Sequence, residues 1–218
     1  MQRENILRKM RERKLIAIIR GIPPEQIEET VQALFEGGIE LAEITYDHRD
    51  RESRMKTVRG LERLRKRFDG QMCLGAGTVL TEEDVRDAEN AGAQFIISPN
   101  VNERVIRRTR ERELVSMPGA FTPTEIVKAH EYGADVVKLF PASLLKTEYI
   151  KAVRGPLGFI PLSAVGGVTP QMIPELLDAG ISCFGVGGNL VDLKCVTEHD
   201  FKTITKRAEE YVNAVPLV

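Results

Sequence analysis

Short apolar runs alternate with longer amphipathic stretches along the whole chain. The runs are Leu15–Arg20 (LIAIIR), Ile39–Thr45 (IELAEIT), Cys73–Gly77 (CLGAG), Gln94–Ser98 (QFIIS), Leu114–Met117 (LVSM), Asp135–Phe140 (DVVKLF), Ile160–Val165 (IPLSAV) and Cys183–Val186 (CFGV). Runs this short and this continuous in apolar character predict strands buried on both faces. A helical segment follows each. In the first, Pro24 is expected to open a helix with Ile27, Val31, Leu34 and Phe35 on one face, and Gly37-Gly38 to end it. Met1–Arg13 reads as an extra amphipathic helix closing the lower end of the fold.

The punctuation between elements repeats. Gly follows the predicted helix and precedes the apolar strand in EGGIEL, NAGAQF, EYGADV and DAGISC, as a glycine C′ cap requires. Thr recurs as the expected N-cap in TEED, TPTE and TPQM. Eight alternating βα units predict one domain over residues 1–218, an α/β fold of the (β/α)₈ type with an added N-terminal helix. An open dinucleotide-binding sheet would need G-x-G-x-x-G after the first strand, and that turn reads RGIPPEQ.

Composition narrows the function classes. Formal net charge is −1 over 218 residues, so no global field favours nucleic acid or an anionic membrane. The basic runs near residues 3–14 and 49–67 are interleaved with acids and read as solvated helix faces. Cys73, Cys183 and Cys195 form no CxxC pair, which argues against a disulfide framework or zinc cluster. No apolar run is long enough to span a bilayer, and no signal-peptide pattern opens the chain, so a cytoplasmic protein is expected.

In barrels of this type the functional groups sit at the C-terminal ends of the strands. Those ends carry Arg20, Glu43 and Thr45, Thr78, Thr122, Lys138 and Phe140, Gly166-Gly167, and Gly187-Gly188-Asn189. Lys138 interrupts the apolar VVKLF and shares a strand face with Val136 and Phe140. Burial there lowers an amine's pKa, and a neutral amine is a nucleophile toward a ketone carbon. A structural lysine at the rim is the alternative. Glu43, in LAEIT, is either its ion-pair partner or a general acid/base. Two Gly-Gly pairs after consecutive strands suit a phosphate cradle of backbone N–H groups.

Other signals carry less. His48-Arg49-Asp50 lacks the glycine-rich loop a kinase string would need, and GAG at 75–77 is no cofactor fingerprint. His130 and His199 read as surface residues. No grouping of His, Asp and Glu has metal-ligand spacing, so neither metal nor cofactor is expected.

In order over residues 15–191 run IAIIRG, EIT, GAGTVL, ISPN, SMPGAFTPTE, KLFPAS, VGGVTP and VGGN. This succession resembles the 2-keto-3-deoxy-6-phosphogluconate / 4-hydroxy-2-oxoglutarate (KDPG/KHG) aldolases. The resemblance implies a Schiff-base aldolase on a (β/α)₈ barrel, usually a homotrimer. Lys138 would form the imine and Glu43 transfer protons. Thr78 would help hold the pyruvate part and the Gly-Gly loops the phosphate. The chain departs from the phosphogluconate pattern at three places. Tyr46-Asp47 replaces a clamp arginine after the Glu, Val165 replaces Thr before Gly166, and Asn189 replaces Ser after Gly188. Arg20 and Val165 look like the 2-dehydro-3-deoxy-6-phosphogalactonate branch, with Arg20 supplying the carboxylate clamp. Expected alternatives are an aldolase for non-phosphorylated keto acids and an inert sugar-phosphate-binding barrel. Tyr46–Asp50 (YDHRD) matches neither branch.

Overall fold

The computed structural model describes residues 2–216, so Met1, expected to start the first helix, lies outside the described residues. The strands are β1 Leu15–Ile19, β2 Leu41–Thr45, β3 Cys73–Gly77, β4 Phe95–Ile97, β5 Val115–Met117, β6 Gly119–Ala120, β7 Val137–Leu139, β8 Leu162–Val165 and β9 Cys183–Val186. All pair in parallel, in the order β5-β4-β3-β2-β1-β9-β8-β7-β6. The α-helices are α1 Gln2–Arg13, α2 Ile27–Glu36, α3 Arg51–Arg67, α4 Glu82–Asn90, α5 Glu103–Glu111, α6 Pro123–Glu131, α7 Thr147–Leu157, α8 Ile173–Asp178, α9 Leu193–Thr197 and α10 Phe201–Ala214.

The two terminal strands of that order, β5 and β6, are separated only by Pro118, and this closes the barrel. β5 pairs with β4, β6 pairs with β7, and the Pro118 carbonyl accepts from the Lys138 amide at 2.9 Å. The fifth predicted strand therefore runs past Met117 to Ala120. Its end was hidden because Pro118 has no N–H for a ladder and Gly119-Ala120 add little apolar signal. Gly119 is small because a Cβ there would run into the Pro99 carbonyl.

Helix boundaries follow local chemistry. Thr81 and Thr122 cap α4 and α6 through capping boxes with Asp84 and Glu125. Thr169 precedes a short 3₁₀ turn, Pro170–Met172, and makes no side-chain cap bond. Pro24 does not open α2. It lies in a preceding turn, and the helix starts at Ile27 after Gln26, whose side chain donates to the Val196 carbonyl. Gly38, Gly92, Gly133 and Gly180 all hold positive φ where a helix turns toward the next strand.

Two apolar layers result. The outer one packs Leu15, Ala17 and Ile19 of β1, and their counterparts, against the helices. The inner one fills the barrel's lower half with Ile16, Leu41, Phe95, Val115 and Val136, and Ile6 and Met10 of α1 plug it from below. Lys9 and Arg13 hold α1 through Glu40 (2.8 and 2.6 Å), and Arg3 pairs with Asp135. No described helix is long and apolar enough to cross a membrane.

Inside, Gly75 exists for Phe95: a Cβ there would overlap the Phe95 ring, which is fully buried. Gly75→Ala is expected to destabilise the protein by about 1–3 kcal/mol, the usual cost of overpacking a filled core. Urea or thermal unfolding checks this, and an unchanged midpoint would mean that the interior has slack.

Candidate active site

Because side chains alternate along a strand, the residues inside the barrel are fixed by register. Ile18 pairs with Glu43, Glu43 with Gly75, and Lys138 with Ser163. Lys138 and Glu43 therefore enter the interior just above the apolar plug. Both are buried, at 6% and 2% exposure. Gly77 leaves room for the acid, since a Cβ there would lie 2.6 Å from the Glu43 carboxyl carbon.

Burial without a close partner sets their electrostatics. Among the described residues neither takes part in an ion pair within 4.0 Å, so the plain ion-pair reading of Glu43 is corrected. Among the described residues Glu43 Oε2 has no hydrogen-bond partner. Desolvation pushes the Glu43 carboxyl above its ordinary range, against the attraction of Lys138 and Arg20. Desolvation likewise lowers the Lys138 ammonium pKa below its ordinary value. Glu43 opposes that shift and Arg20 adds to it. Lys138 Nζ lies 4.6 Å from the centre of the Phe140 ring. The result is an amine that gives up its proton more easily than an exposed lysine, near a carboxyl that holds one more readily.

These groups face a cavity of about 420 Å³ at the C-terminal end of the barrel. Of the residues named from the sequence, Arg20, Glu43, Lys138, Phe140, Val165, Gly166-Gly167 and Gly187-Gly188-Asn189 all line it. Gly166 and Gly167 hold φ of +98° and +76°, and a Cβ on Gly167 would lie 2.6 Å from Ser143 Cβ. Among the described residues, the backbone N–H groups of these four glycines and of Asn189 donate to no protein acceptor. The Asn189 side-chain amide is already used, donating to the Val168 carbonyl at 3.2 Å.

Three predicted residues lie outside the cavity lining. Thr45 is buried, with its hydroxyl unpartnered and its carbonyl bonded by Thr57. Thr78 sits at the mouth, where its Oγ1 accepts from Arg20 at 3.5 Å. Thr122 is exposed and its hydroxyl caps α6, so it is corrected from a site residue to a helix cap. Other residues entered that the sequence reading had not named. Ile18 could have been found by parity, two residues before Arg20. Val168 lies within the VGGVTP string, Val191 and Asp192 come from a loop that carries no motif, and Leu193 opens α9; Asp192 is partly answered by Arg207 at 3.4 Å.

A second cavity, of about 480 Å³, opens at the opposite end beside α1. Its acid, Asp135, is already paired with Arg3 and Arg110, and neither Lys138 nor Glu43 reaches it. The upper cavity is therefore the candidate for chemistry. Among the described residues no group of three His, Cys, Asp or Glu side chains is placed to hold a metal ion.

Comparison with known proteins agrees with this geometry. The family profile for KDPG and KHG aldolase matches residues 6–207. A probable 2-dehydro-3-deoxy-6-phosphogalactonate aldolase of Rhizobium meliloti is 40% identical over 82% of each chain. A solved KDPGal structure superposes with a TM-score of 0.82 at 33% identity, covering 92% of this chain and 93% of the other. A KDPG aldolase of Legionella pneumophila, solved with pyruvate captured as a covalent carbinolamine, has a TM-score of 0.81 at 26% identity, covering 91% and 93%. With the matching profile spanning nearly the whole barrel and the buried amine and acid facing one cavity, this chain belongs to the KDPG and KHG aldolase family.

Proposed function

We propose that this aldolase cleaves a 6-phosphorylated 2-keto-3-deoxy sugar acid, of the phosphogalactonate or phosphogluconate type, to pyruvate and an aldehyde phosphate. The observation that carries the reading is the buried Lys138 amine facing the same cavity as the buried Glu43 carboxyl. The amine lone pair attacks the C2 ketone, and Glu43 relays the proton that turns the carbinolamine hydroxyl into water. Loss of water leaves a protonated imine. Removal of the C4 hydroxyl proton, by Glu43 or a bound water, breaks the C3–C4 bond. Its electron pair flows into the imine, giving an enamine and the free aldehyde. Protonation at C3 and hydrolysis then release pyruvate and regenerate Lys138.

Binding follows from the cavity rim. Arg20 takes the carboxylate by charge-assisted hydrogen bonds. The free amides of the two Gly-Gly loops suit a phosphate, and glycine there lets the anion reach the backbone. The relative in Rhizobium meliloti, whose name specifies the galactonate substrate, supports that branch, as do Arg20 and Val165. A cytoplasmic homotrimer completes the reading. Exposed Leu144 and Phe159 offer apolar side chains that contacts between copies would cover. Equilibrium sedimentation checks the trimer, and a concentration-independent monomer mass would refute it.

Borohydride with pyruvate is expected to add one reduced adduct to the native protein and none to Lys138→Ala, as read by intact mass. An adduct that survives Lys138→Ala would move the imine elsewhere. Glu43→Gln is expected to lower kcat by about 10²–10⁴-fold, the usual contribution of a positioned acid/base. The pH dependence has a definite sign. Adduct formation rises with pH through the lowered Lys138 pKa, so its midpoint lies below the ordinary lysine value of 10.5. The Glu43 charge raises that pKa, so Glu43→Gln is expected to move the midpoint to lower pH. A shift to higher pH would contradict the proposed coupling.

A further inference from the structure

Tyr46–Asp50 (YDHRD) follows no pattern that the rest of the chain shares with its relatives, and the reaction above does not use it. Two of its residues, Tyr46 and His48, are tied to the turn beside the mouth. Tyr46 continues β2: its amide donates to the Gly77 carbonyl at 2.8 Å, and its hydroxyl to the Asp84 carbonyl at 3.3 Å. The ring between these anchors is buried. The His48 ring lies against it, with centroids 5.7 Å apart. Nε2 of His48 stands 2.7 Å from the Thr78 carbonyl oxygen. A carbonyl only accepts, so this nitrogen carries the hydrogen. Asp47 and Arg49 bond to each other instead, at 2.6–3.1 Å.

The group that His48 holds is in an unusual state. Thr78 has φ of +55°, in the left-handed region that β-branched residues rarely occupy. Such a conformation persists only where the surroundings impose it. From it Thr78 Oγ1 meets Arg20 Nη2 at 3.5 Å, at the cavity mouth.

We infer that His48 is a positioning residue for the substrate carboxylate: by holding the Thr78 carbonyl it fixes the turn that presents Thr78 Oγ1 to Arg20, and so sets the guanidinium over the mouth. This rests on the proposed role of Arg20. His48 itself touches neither the substrate nor the reacting atoms, and the buried Tyr46 ring is its platform.

The test is the pyruvate concentration that half-saturates borohydride-trapped adduct, measured with intact protein. In His48→Ala it is expected to rise about tenfold, the worth of one hydrogen bond supporting a charged contact. The adduct at saturating pyruvate should remain complete. His48→Phe keeps the ring on Tyr46 but has no donor, so it should behave like His48→Ala and stands in for it if that variant does not fold. His48→Gln restores an N–H and should recover most of the loss. In an Arg20→Ala background, removing His48 should change half-saturation less than about twofold, because both act through one contact. Half-saturation near the native value in both His48→Ala and His48→Phe, or a full shift persisting without Arg20, overturns the inference alone. A native protein that forms no adduct overturns the Lys138 reading and this inference with it.

Discussion

Taking an amine and a carboxyl out of water is the constraint around which this barrel is organised. Isolated buried charge is expensive, and a tight ion pair is the common way to offset it. Here Lys138 and Glu43 stay beyond ion-pair distance while both remain buried. Desolvation then acts on each toward its neutral form, and their mutual attraction only moderates it. That is the state a ketone needs to meet: an amine with an available lone pair, and an acid able to pass a proton at short range.

The surrounding structure keeps that state in place through space and plugging. Below the pair, Phe95, Leu41 and Val136 fill the barrel, and Ile6 and Met10 of α1 seal its end. Beside it, Gly75 and Gly77 yield their volume to Phe95 and Glu43. Above it Gly187 and Gly188 stand in open space, and among the described residues the amides of the last two loops are unbonded. The same residue type thus serves dense packing low in the barrel and a vacant, donor-lined mouth high in it. The difference is set only by what approaches each Cα.

Much of this was legible in the chain. Eight apolar runs, four of them preceded by a helix-ending glycine, give the parallel barrel, because a strand covered on both faces has no polar face to show. Two-residue alternation is enough to put Lys138 with Phe140 and Glu43 with Leu41 on inward faces. The family strings then attach roles to those positions. Thr122 shows where such reading stops. Its place after a strand suggested the site, yet Ser/Thr followed three residues later by Glu is also a capping box, and that use won.

What the sequence determined was therefore periodic or local: which residues form strands, which face each side chain takes, and where caps and turns fall. Tertiary structure alone decided distances between residues far apart in the chain. It placed Glu43 near Lys138 without pairing them, closed the barrel through Pro118, and brought His48 against the Thr78 carbonyl. Those outcomes depend on strand register and on which bulky groups meet across the barrel. No window of neighbouring residues encodes them, because parallel strands bring together residues tens of positions apart.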